Sequence, residues 1–136
     1  MRVALLLSVV LLVASCNESI ESTHENYAAA AADGAIKKGR VPARVPPAAV
    51  DIVEIHYLDP GTVWGRFRNP GDSAEWLHGC EEVGGERRLR NGPRGVAWWD
   101  RQAVGDATAM RCEGEHGQTE LFFLDSSSDR VFFHIR

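Results

Sequence analysis

A chain of 136 residues, 44% of them hydrophobic, is long enough for one ordinary domain with a real core. Its formal charge of −4 carries no basic excess, which argues against a nucleic-acid partner. The Gly-x-Ser-x-Gly elbow, the phosphate loop and the dinucleotide loop are all missing, so no residue is singled out as catalytic and no cofactor is expected.

The first fifteen residues read as a targeting segment. Arg2 precedes an apolar run from Val3 to Val13, broken only by Ser8, and small Ala14 and Ser15 stand before Cys16. The run falls short of the roughly 20 apolar residues that a spanning helix needs. It has the layout of a secretory signal. An ordinary signal peptide that ends beside a cysteine is one reading. The other starts from Leu12-Val13-Ala14-Ser15-Cys16, which resembles the lipobox of bacterial lipoproteins. That resemblance implies cleavage before Cys16, lipidation of Cys16, and a membrane partner held through the N-terminal lipid. Two or more acyl chains anchor a soluble domain stably. Asn17 follows, where Asp is the usual inner-membrane signal, so the resemblance implies the outer membrane, facing the periplasm.

Export bears on the other thiols. With Cys16 acylated, Cys80 and Cys112 remain in an oxidising compartment and are expected to form a disulfide, two buried free thiols being the alternative. Closing that loop would stabilise the fold by about 3–4 kcal/mol. The chain then divides into a signal peptide over 1–15, a flexible tether over 16–22 and a single α+β domain over 23–136.

Within the domain, Ser22-Thr23-His24-Glu25 fits a helix capping box. The alanines from Ala28 to Ala32 favour helix strongly, and Gly39 after Lys37 and Lys38 suits its end. Pro42, Pro46 and Pro47 force an extended connection. Val53, Ile55 and Tyr57 then alternate with Glu54 and His56, which predicts a strand with the two polar residues outward. A turn at Asp59-Pro60-Gly61 leads to Val63, Gly65 and Phe67, completing a hairpin in which Ile55 is expected near Gly65 or Phe67, and Glu54 opposite Arg66 or Arg68.

Gly39, Pro42, Pro46, Ala49, Ile52, Glu54, His56, Asp59, Trp64 and Phe67 form a pattern similar to bacterial domains of the YbbD-head type, common in small lipoproteins. The resemblance covers about residues 27–68, with Trp98-Trp99 a weaker echo. It implies no catalytic role for any residue.

Further on, Asp72 can cap a short helix that sets Trp76, Leu77, Cys80 and Val83 on one face. Residues 86–95 form a basic loop, 96–100 a strand or aromatic turn, and the stretch around Cys112 a strand. A second hairpin follows across Asp125-Ser126-Ser127-Ser128-Asp129, with Phe122 opposite Phe132, and Phe123 near Val131 or Phe133. Aromatics on both sides of this hairpin predict a sheet covered on both faces. The fold class is α+β: an N-terminal helix, two antiparallel hairpins in one sheet, and a short helix tied to it by the disulfide.

Few residues suggest chemistry. His56, His78, His116 and His134 are scattered singly, without the paired short spacing of zinc ligands, so no metal is expected. The suggestive surface is Arg87, Arg88, Arg90 and Arg94 before Trp98 and Trp99, because Arg and Trp are enriched at binding hot spots. Such a loop would suit an envelope protein or an anionic ligand. A solvated loop beside two core tryptophans is the alternative. These expectations describe a non-enzymatic, lipid-anchored envelope protein that acts by binding. An inhibitor or immunity protein against an envelope hydrolase, and a hydrolase whose site assembles only in three dimensions, are the two other readings.

Overall fold

The computed structural model describes residues 18–136 apart from 59 and 72. The signal segment, Cys16 and the expected cap at Asp72 lie outside the described residues. Among the described residues, seven strands form one antiparallel sheet: β1 (Ser19–Asn26), β2 (Val50–Tyr57), β3 (Val63–Arg68), β4 (Glu81–Val83), β5 (Thr108–Glu113), β6 (Thr119–Leu124) and β7 (Arg130–Ile135). Their order across the sheet is β1-β2-β3-β7-β6-β5-β4. Both expected hairpins are present and join through β3 and β7. Helices are few and short: α1 (Tyr27–Ala32), α2 (Arg87–Arg90) and α3 (Arg101–Asp106). The molecule is therefore a small, mostly β domain.

The N-terminal helix is the main correction. Residues 19–26 are a strand, which takes in the end of the expected tether and the expected capping box. Ser22 and His24 pair with Glu54 and Ile52 of β2, and these long-range ladder bonds override the local helix signal. Only the alanine run is helical. Its cap is Asn26, whose side-chain oxygen accepts from the Ala29 amide at 2.9 Å. Gly34 ends it by taking a positive φ of 75°.

The second expected helix is also corrected. A 3-10 turn, Glu75–Leu77, stands in its place, and after residues 78–80 the chain enters β4. Glu81 lies opposite Arg111, so Cys80 and Cys112 occupy the next position of the same register. Their disulfide has a Cα–Cα distance of 4.5 Å. It thus ties an edge strand to its neighbour, and no helix is involved.

Both hairpin registers differ by one residue from expectation. Asp125 holds the second turn with its own side chain, accepting from the Ser127 amide at 3.0 Å and the Ser128 hydroxyl at 2.6 Å. Four residues then close the loop rather than five, and Phe122 meets Phe133 while Phe123 meets Phe132. In the first hairpin Glu54 meets Gly65 and Ile55 meets Trp64. A bulge between Val50 and Val53 restores the phase beyond it, with Asp51 at a positive φ of 51°.

The sheet is covered on both faces. On one, Phe67, Phe122, Val131, Phe133 and Ile135 pack beneath Ala30, Ala35, Val41, Val45 and Ala49 of the segment between β1 and β2. On the other, Ala109, Leu121, Phe123 and Phe132 pack beneath Trp99 and Val104 of the segment between β4 and β5. The row Glu54, Gly65, Phe133, Phe122, Met110 crosses the first face. Gly65 is required there because a Cβ would collide with the Phe133 ring. That ring is fully buried. Gly65→Ala is therefore expected to lower stability by about 2–3 kcal/mol through overpacking. An unchanged denaturant midpoint would show that the ring yields freely.

Candidate functional site

The structure takes Trp99 and Arg90 out of the surface expected of the basic, tryptophan-bearing segment. Trp99 is buried, with its indole N–H donating to the Arg90 carbonyl at 3.0 Å and its ring edge-on to Phe132 at 5.3 Å. Arg90 donates to the carbonyls of Val104 at 2.6 Å and Ala107 at 2.8 Å, closing the end of α3, and lies over the Phe123 ring. These two residues are structural. The physical reason is the bare aromatic face beneath them, which only bulky side chains can cover. Trp98 is half-buried beside Trp99, while Arg87, Arg88 and Arg94 remain exposed.

Of the histidines, His56 and His116 line one cleft, described below. His134 is buried, stacked on Trp64 at 3.9 Å, and bonded through Nδ1 to the Val63 carbonyl. Burial pushes its pKa down to about 4, so it is neutral near pH 7. Among the described residues no group of three or more His, Cys, Asp or Glu side chains is arranged to hold a metal ion.

A different place concentrates polar groups. Glu54 is completely buried on β2, although strand alternation points it to solvent, because the segment between β1 and β2 covers that face. Its Oε2 lies 3.4 Å from His56 Nδ1 and its Oε1 3.6 Å from Arg40 Nη1. Burial raises the Glu54 pKa, and His56, Arg40 and His24 pull the other way. His24, also buried, bonds Asp33 at 3.0 Å. Glu54 Oε1, Arg40 Nε and His24 Nε2 have no hydrogen-bond partner among the described residues. Buried polar atoms are seldom left so.

Above this cluster opens a cleft of about 370 Å³. One wall is the turn that carries Lys38 and Arg40. The floor comes from His56, Val63 and Ile135, which share one row of the sheet. Tyr57 and Leu58 at the end of β2, Gln118 before β6, and Arg136 after β7 complete the mouth. The cleft thus gathers cationic and amide groups from four distant parts of the chain. None of its described lining residues is Asp or Glu, so the walls suit an anionic or polar ligand. Glu54 and His56 were the only hint of it in the sequence, as part of the pattern that carries the family resemblance.

A second buried carboxylate, Glu120, lies on the same sheet face and is held by Arg44 at 3.1 Å. Arg44 also donates to the carbonyls of Trp76 at 3.2 Å and Glu113 at 3.1 Å, and to Cys80 Sγ at 3.2 Å. That side chain is a clamp between the cover, the 3-10 turn and the disulfide.

No curated protein and no solved structure gives a significant match to the chain. Residues 18–68, which hold β1 to β3 together with His24, Arg40, Glu54 and His56, are similar to the YbbD head domain, whose family model matches that span.

Proposed function

We propose that the protein is a lipid-anchored component of the bacterial envelope that works by binding, held at the outer membrane on its periplasmic side. The Cys80–Cys112 disulfide carries the reading. Such bonds persist in exported proteins and are rare in reducing compartments. The lipobox-like run ending at Cys16 supplies both the export signal and the anchor. The cationic walls of the cleft, from Lys38, Arg40 and Arg136, suit the binding of an anionic ligand. Cys16→Ser is the test. In a bacterial host with lipoprotein processing, this variant should take up no fatty-acid probe and should leave the membrane pellet or persist as precursor. Normal labelling of the variant would refute the anchor.

A further inference from the structure

Two large hydrophobic side chains are exposed among the described residues, Ile20 at 48% and Leu58 at 56%. Both stand at the same end of the sheet. Ile20 pairs with His56, and the Leu58 amide donates to the Glu18 carbonyl at 3.2 Å. The cleft opens at this end too, with Lys38 and Arg136 exposed at its mouth. Glu18 lies beside Leu58 and the Glu21 charge acts on Tyr57, so the positive charge is local to the mouth.

β1 begins at Ser19, so the expected tether is reduced to a few residues. Glu18 follows Cys16 by two residues, and two residues of extended chain span at most about 7 Å. An acyl group on Cys16 therefore leaves this end of the sheet no room to stand away from the bilayer. Apolar side chains flanked by cations are what an interfacial contact with an anionic leaflet requires.

We propose that this end of the sheet is a membrane-docking surface. Ile20 and Leu58 enter the headgroup boundary, and Lys38 and Arg136 at the cleft mouth meet phospholipid phosphates. The strands then stand on the membrane, with the Ser126–Asp129 turn at the far end. This deepens the lipid-anchor reading above and rests on acylation of Cys16.

The test uses the full chain, expressed with lipoprotein processing and reconstituted into vesicles of phosphatidylethanolamine with phosphatidylglycerol. Leu58→Cys, and separately Ser126→Cys, is labelled with a polarity-sensitive dye. Both positions are exposed, so neither label should disturb the fold, and a thiol assay confirms that Cys80–Cys112 stays closed. The dye at 58 should shift to the blue and be at least about threefold less accessible to iodide than the dye at 126. Replacing phosphatidylglycerol with phosphatidylcholine, or combining Lys38→Glu with Arg136→Glu, should reduce that protection. Equal accessibility at 58 and 126 would overturn the docking surface, and protection indifferent to lipid charge would overturn its anionic specificity. The mass of the N-terminal peptide is read on the same sample. Unmodified Cys16 would refute the anchor, and in that case shielding at 58 on added vesicles would still support the surface, while none would overturn it.

Discussion

Arg44→Met should destabilise the domain by about 3 kcal/mol or more, the range expected when one partner of a buried ion pair is removed. Glu120 is 3% exposed and Arg44 is the cation in contact with it. Without the guanidinium, the carboxylate must stay charged in an apolar face or take up a proton. The carbonyls of Trp76 and Glu113 also lose a donor. The loss should depend on pH in a definite direction. Burial already raises the Glu120 pKa, with Arg44 opposing. A carboxylate whose folded pKa is raised contributes stability below its unfolded pKa and loses it as pH rises through the folded value. Arg44→Met raises the folded value further. The deficit should therefore be largest at neutral pH and shrink as pH falls toward the ordinary carboxylate range. Adding Glu120→Gln should recover part of it. Denaturant midpoints of the four proteins between pH 4 and 8 form the double-mutant cycle that checks this. A deficit independent of pH would mean that the lost carbonyl bonds, and not the carboxylate, dominate.

Replacing both Cys80 and Cys112 with alanine should cost a similar amount. The bond spans a sequence separation of 32 residues, for which loop-closure entropy gives about 3–4 kcal/mol. The effect has a local part as well. β4 is three residues long and pairs with β5 on one side, so the disulfide adds a tie to an edge strand otherwise held by that ladder and by the Glu81–Arg111 ion pair. Amide exchange at Glu81–Val83 should accelerate more than at Phe122 or Phe133, which sit at the centre of the sheet. Because Arg44 donates to Cys80 Sγ, the alanine pair and Arg44→Met should not be additive. Equal midpoints for oxidised and reduced protein would contradict the assignment of the bond to stability.

The strands that alternate clearly, β2, β3, β6 and β7, were legible because each period-two pattern reports which side chains share a face. Their registers were not, since one residue gained or lost in a turn moves every pair. Asp125 decides this for the second hairpin through side-chain bonds that follow from geometry and have no distinct sequence signature. β1 was misread for a related reason. Ser22 to Glu25 has the composition of a helix start, and only pairing with β2, far along the chain, makes it a strand.

In the first hairpin, unlike the second, alternation left open how many faces are covered. Glu54 and His56 have the polar spacing of a solvent face, yet a second layer carrying Arg40 lies over them. Arg90 and Trp99 show the converse. Their composition is that of a binding hot spot, and equally that of the lid on an aromatic core. The disulfide was legible from the expected export and the cysteine count, because that inference needs no geometry. The cleft was not, since its walls come together only through the sheet order that sets β3 beside β7.

The proposed location and anchoring depend on the state of Cys16. The mass of the mature N-terminal peptide, taken from the membrane fraction of a bacterial host, reads it directly. The account predicts that residues 1–15 are absent and that Cys16 is the first residue, carrying a diacylglyceryl group. A free, unmodified Cys16, or a mature chain that begins beyond it, would contradict it.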